Sequence, residues 1–95
     1  MPKFEWDPPK SLINKDKHGV SFREATEIWR GIHLTAENFA KAKDGEKRSI
    51  TIGMIGEDIY SAIWTNRNNT FRIISVRRSR NGEKKAFLKK LRERR

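Results

Sequence analysis

Apolar residues recur along this chain with two different periods, and the switches between them divide it into elements. Lys3–Trp6 alternates apolar and charged side chains, which predicts a short strand. Asp7-Pro8-Pro9 predicts a helix start, because Asp can cap free amides and proline is tolerated in the first turn. This first helix runs through Leu12 and Ile13 and stops at Gly19, with Lys17 and His18 in its last turn, where positive charge suits the helix dipole. Ser21 and Glu24 form a capping box, and Val20 with Ala25 forms a hydrophobic staple across it. The second helix carries Phe22, Ala25, Ile28 and Trp29 at helical spacing and ends at Gly31.

From there the period changes to two. Ile32–Leu34 reads as a brief strand and the polar stretch Asn38–Lys47 as a loop. Arg48–Ile55 follows as a strand with Ile50, Ile52 and Met54 on one face. After a turn at Gly56-Glu57-Asp58, Ile59–Thr65 places Tyr60, Ala62 and Trp64 opposite Ile59, Ser61 and Ile63. Asn66–Asn69 turns the chain again into a strand over Phe71–Arg77. Asn81-Gly82 opens a final helix whose apolar stripe is Phe87, Leu88 and Leu91. Strand, two helices, antiparallel meander and helix make an α+β fold in one domain, residues 1–95. Trp6, Phe22, Trp29, Trp64 and Phe71 are the expected core aromatics.

Charge adds what the pattern does not show. The chain carries a net +10, yet residues 1–76 hold 12 Lys/Arg against 10 Asp/Glu, while residues 77–95 hold 10 against 2. A terminus this basic attracts polyanions through counterion release, with nucleic acid the first candidate and an acidic protein or an anionic membrane surface behind it. Without cysteine there is no disulfide framework and no thiolate metal site. Two His and no clustered carboxylates give no expectation of a metal or other cofactor. No apolar stretch is long enough to span a bilayer and the opening MPKFEWDPP has no apolar h-region, so a cytoplasmic protein with no membrane partner is expected.

The candidate chemistry centres on arginine. Arg67, Arg72, Arg77, Arg78 and Arg80 lie along the last strand and its flanks, and a guanidinium fork matches phosphate oxygens in pairs. Strict alternation puts Arg77 with Phe71, Ile73 and Ser75, and Arg72 and Arg78 with Ile74 and Val76. Cleaving RNA without a metal needs a base for the 2′-hydroxyl, cations for the developing charge and an acid for the departing 5′-oxygen. His18, Glu83 and Tyr60 are the candidate proton carriers, with His33 behind them. Lys17, Arg72, Arg80, Lys84 and Lys85 are the candidate RNA-binding residues.

At the N-terminus, Phe4-x-Trp6-Asp7-x-x-Lys10-x-x-x-Asn14-x-x-Lys17-His18-Gly19-Val20-x-Phe22-x-Glu24-Ala25 resembles the opening signature of the BrnT toxins. The likeness continues through Asp44-Gly45-Glu46-x-Arg48, Ile52-Gly53, Thr65-x-Arg67, Arg72-Ile73-Ile74-Ser75-x-Arg77-Arg78 and Glu83. The resemblance implies a RelE-like fold, a ribonuclease that blocks translation, and a BrnA-like ribbon-helix-helix antitoxin. It also implies contact with operator DNA only through the toxin–antitoxin complex, which represses its own operon. On this reading Arg67, Arg77 and Arg78 hold the scissile phosphate, and His18 or Glu83 carries the proton. The family often has Tyr where this chain has Phe87, and it tends to open the last helix with Thr-x-x-Glu where this chain has Arg80-Asn81-Gly82-Glu83. A non-catalytic nucleic-acid-binding module, or a toxin homologue without activity, is the alternative.

Overall fold

A computed structural model describes residues 2–41 and 43–94. Position 42, within the predicted loop, and Arg95 of the basic terminus lie outside the described residues. The order is β1 (Lys3–Glu5), α1 (Pro8–His18), α2 (Phe22–Ala25), a 3-10 turn (Thr26–Arg30), β2 (His33–Lys41), β3 (Lys47–Ile55), β4 (Asp58–Arg67), β5 (Thr70–Arg78) and α3 (Asn81–Glu93). The strands form one sheet in the order β1-β5-β4-β3-β2. β1 pairs parallel with β5, and the other neighbours are antiparallel. The fold is α+β, as the patterning predicts.

The helix ends follow their local chemistry. Gly19 closes α1 in the left-handed region at φ 77°, and its N–H donates to the Lys15 carbonyl oxygen. Asp7 precedes α1 without a side-chain cap, so only its backbone carbonyl begins the helix, accepting from Ser11 N–H. The Ser21–Glu24 capping box is complete: Glu24 N–H donates to Ser21 Oγ and Ser21 N–H to Glu24 Oε1. The second helix tightens to 3-10 geometry after Ala25, and Ala25 and Ile28, at its i, i+3 spacing, are both fully buried.

Two cores sandwich the sheet. On one face α1, α2 and the 3-10 turn pack Val20, Phe22, Ala25, Ile28 and Trp29 against Tyr60, Ala62, Trp64, Ile73 and Val76. Trp64 stacks on Phe71 at 3.9 Å between ring centroids, and Trp6 joins the edge partly buried. On the other face Phe87 of α3 is fully buried with Ile50, Ile52 and Ile63, and Leu91 adds to them beside Leu34. Met54, expected with Ile50 and Ile52, is exposed near the end of β3.

Two strands depart from expectation. β2 extends to Lys41, through residues expected to be loop, because an edge strand needs backbone pairing on one side and no apolar alternation. A shift in pairing between Ala36 and Ala40 accommodates Asn38 at φ 54°. In β5 the pairing passes from Ser75 opposite Ile63 to Ile73 opposite Trp64, which leaves Ile74 as an extra residue. A single bulged residue exchanges the faces on its two sides. Phe71, Ile73, Val76 and Arg78 therefore share the face of α1, and Arg72, Ser75 and Arg77 share the face of α3. The alternation expected for the arginines is corrected accordingly.

Candidate nucleic-acid interface

α3 covers only part of its side of the sheet, and the remainder carries guanidinium groups. Arg72 stands opposite Thr65 on β4 and Glu5 on β1, and its Nη1 donates to Glu5 Oε2 at 2.8 Å. One step beyond the Ser49–Trp64 pair, Arg48 falls beside Thr65. Arg67, at the end of β4, holds Glu46 through two bonds, Nε to Oε2 at 2.8 Å and Nη2 to Oε1 at 3.0 Å. Two buried polar atoms in this group have no hydrogen-bond partner, Arg48 Nε and Thr65 Oγ1. A buried donor left open in a field of cations is a place where an anion's oxygen gains most. The Arg67 guanidinium holds the Glu46 carboxyl below the usual carboxylate range, through its hydrogen bonds and then its charge, and the charge of Arg48 adds to this.

Arg77 and Glu83 are together but engaged with each other. Arg77 donates to Glu83 through Nη1 at 2.8 Å and Nη2 at 3.0 Å, with both side chains only about one-fifth exposed. Glu83 Oε1 also accepts Arg80 N–H and the Ser61 hydroxyl. The single Ser61 proton goes to that carboxylate, so Ser79 Oγ donates to Ser61 Oγ. Chiefly through the Arg77 hydrogen bonds, and against burial, Glu83 titrates at about 2 instead of 4.5. A carboxylate so held is a poor proton carrier at neutral pH. In this arrangement Arg77 and Glu83 anchor the start of α3 to the sheet, and Glu83 supplies the cap that the Arg80-Asn81-Gly82 sequence lacks.

The other sequence candidates are dispersed. His18 and Lys17 line a cleft of about 170 Å³ with Lys10, Ile74 and Ser75, along the edge of β5 that β1 leaves unpaired. Asn14 seals that edge: its Nδ2 donates to the Val20 and Val76 carbonyl oxygens, and its Oδ1 accepts Val76 N–H. Arg78 points away from the guanidinium group, donating to Asp58 and lying 5.7 Å from the centre of the Tyr60 ring, itself buried in the core. His33 sits at the start of β2, where Nδ1 donates to the Gly31 carbonyl oxygen. Arg80 precedes α3, and Lys84 and Lys85 occupy its first turns. Phe87 is a packing residue, buried between α3 and the sheet.

Sequence reasoning did not single out Arg48, Thr65 or Glu46 as site residues. Glu46, Arg48 and Thr65 stand in the sequence only as parts of the family motif, and Thr65 carries no charge to signal it. Among the described residues no three His, Cys, Asp or Glu side chains converge as a metal site. Among the described residues no helix is long and apolar enough to cross a membrane.

Fold and site together define a small basic α+β protein that presents an arginine-lined sheet face suited to a phosphodiester backbone. The profile of the ribonuclease toxin BrnT, of type II toxin–antitoxin systems, matches residues 6–83. The chain belongs to this family. No curated protein matches it.

Proposed function

We propose that this toxin is an endoribonuclease that cuts RNA on the open face of the sheet by attack of a 2′-hydroxyl on the adjacent phosphorus. The observation that carries the reading is the bulge at Ile74, which turns Arg72 onto the side of the sheet that also bears Arg48 and Arg67. Arg48, Arg67 and Arg72 hold the non-bridging phosphate oxygens, with Thr65 Oγ1 as a further donor. Glu46 is ionised at neutral pH and accepts the 2′-hydroxyl proton once the phosphate draws Arg67 away from it. The bond from O2′ to phosphorus forms as the bond to O5′ breaks. The departing O5′ takes its proton from solvent, since His18 lies in the cleft at the β5 edge beside α1 and away from the guanidinium group. The products are a 2′,3′-cyclic phosphate and a 5′-hydroxyl, and the step calls for no metal. Arg77 and Glu83 act as positioning residues for α3, and Lys17, Lys84 and Lys85 attract flanking phosphates.

The same proposal extends to the RelE-like arrangement, to a block of translation in the cytoplasm, and to neutralisation by a BrnA-like antitoxin whose complex with the toxin represses their operon. The test is incubation of purified protein with RNA in EDTA, followed by analysis of product ends. Cyclic or 3′-phosphate ends opposite 5′-hydroxyls are expected. Arg72→Ala is expected to lose about a hundredfold to a thousandfold in rate, the usual effect of removing one charge-stabilising donor. Loss of activity in EDTA with recovery in magnesium, or wild-type cleavage by Arg72→Ala, overturns the mechanism.

A further inference from the structure

Helix α1 faces inward with its polar residues and outward with its apolar ones. Ser11 and Asn14 are the buried positions: Ser11 Oγ accepts Phe22 N–H, and Asn14 seals the β5 edge. Leu12 and Ile13, in contrast, are 73 % and 62 % exposed, more than any other large apolar side chain among the described residues. A helix whose outward stripe is apolar normally has that stripe covered.

The surroundings of the pair indicate what covers it. Leu12 borders a groove with Trp6, Pro8, Ser21 and Arg23, and Ile13 forms a wall of the neighbouring cleft beside Lys10 and Lys17. Arg23 lies 5.8 Å from the centre of the Trp6 ring. The ridge thus presents Leu12 and Ile13 with the exposed Asp16 one turn further on, and Lys10, Lys17 and Arg23 flank it, three cations to that one acid. A second copy of this chain docked on the same face by two-fold symmetry would bring those cations against themselves. RNA would neutralise the cations but gains little from an aliphatic crest, since bases stack on aromatic faces. An acidic protein segment satisfies both features.

We infer that the Leu12–Ile13 ridge of α1 is the docking surface for the antitoxin, through a segment that presents apolar side chains flanked by carboxylates. Seated there, the segment also covers Lys17 in the neighbouring cleft. This rests on the antitoxin that the family implies and not on the cleavage mechanism, so the two readings fail separately.

The experiment titrates a BrnA-like ribbon-helix-helix antitoxin against wild type, Leu12→Glu and Leu12→Met, at low and high salt. RNA cleavage and thermal unfolding are measured on the same preparations. Leu12→Glu is expected to weaken partner binding by at least about thirtyfold, the effect of removing an interface anchor. Its unfolding temperature and RNA cleavage should match wild type, Leu12→Met should bind within severalfold of wild type, and salt should weaken binding throughout. Wild-type partner affinity in Leu12→Glu, or no binding by wild type, overturns the inference. A wild-type dimer that Leu12→Glu dissociates would show that a second copy covers the ridge, and weakened RNA binding with intact partner binding would assign the ridge to RNA. Either result also overturns it. Failure of wild type to cleave RNA, with partner binding as expected, would overturn only the cleavage mechanism.

Discussion

Replacing Glu83 by Gln tests how α3 is held to the sheet, and its effect is expected to depend on pH in a definite direction. The folded protein depresses the Glu83 carboxyl from 4.5 to about 2, mainly through the two hydrogen bonds from Arg77. At about 1.4 kcal/mol per unit, that difference corresponds to about 3 kcal/mol favouring the ionised folded state. Because the folded pKa is the lower one, the folded chain binds fewer protons than the unfolded chain in this range. The contribution is therefore complete above about pH 5 and is lost as the pH falls toward 2. Glu83→Gln keeps an oxygen for Arg80 N–H but leaves the half-buried Arg77 guanidinium facing a neutral amide. At pH 7 it should cost about 2–3 kcal/mol, which in a domain of this size lowers the unfolding temperature by roughly 10–20 °C. Urea unfolding followed by tryptophan fluorescence, run on both proteins from pH 7 to pH 3, measures the gap directly. Glu24 and Glu46 also titrate low, but their ion pairs are present in both proteins and cancel in the difference. A gap that narrows steadily below pH 5 is expected. A gap constant across the range, or absent at pH 7, would refute the assignment of Arg77–Glu83 as the anchor of α3.

Three further outcomes follow from the packing and the charge. Asn14→Ala leaves Val76 N–H and the Val20 and Val76 carbonyls without their partner, so chemical denaturation should show a loss of roughly 3 kcal/mol. Gly53→Ala places a methyl 2.8 Å from Ile28 Cγ2 and 3.2 Å from the Ile28 carbonyl oxygen, with both groups held in the core; calorimetry should show a clear drop in unfolding temperature, and an unchanged one would mean the 3-10 turn yields freely. Changing both Lys84 and Lys85 to Ala should weaken RNA binding and reduce the slope of log affinity against log salt by roughly 1–2, as measured in titrations at several ionic strengths.

Much of the fold is legible along the chain because its causes are local. Ser21 and Glu24 are three residues apart and satisfy each other's backbone, whatever lies elsewhere. Gly19 ends α1 because a residue without a side chain adopts the left-handed conformation at little cost. The alternation of Ile59–Thr65 predicts which side chains of β4 enter each core. The basic character of the surface and the arginine-rich end of β5 are likewise properties of composition and order.

The placement of the arginines is not local, and it is what decides the candidate site. Alternation assigns Arg72 and Arg77 to opposite faces; the bulge at Ile74 unites them, and pairing with β4 reveals that bulge. The parallel pairing of β1 with β5 brings Glu5 to Arg72 across most of the chain's length. Glu83, a reasonable proton carrier by type, becomes a structural anion because the fold surrounds it with Arg77, Ser61 and the start of α3. Asn14 and Ser11 are polar residues that a pattern assigns to the surface, yet an unpaired strand edge and the Phe22 amide require them inside. Leu12 and Ile13 are thereby left facing outward. Period and caps depend on neighbours a few bonds away and can be read in order, whereas register, edge closure and the partners of a buried charge depend on which distant segments meet.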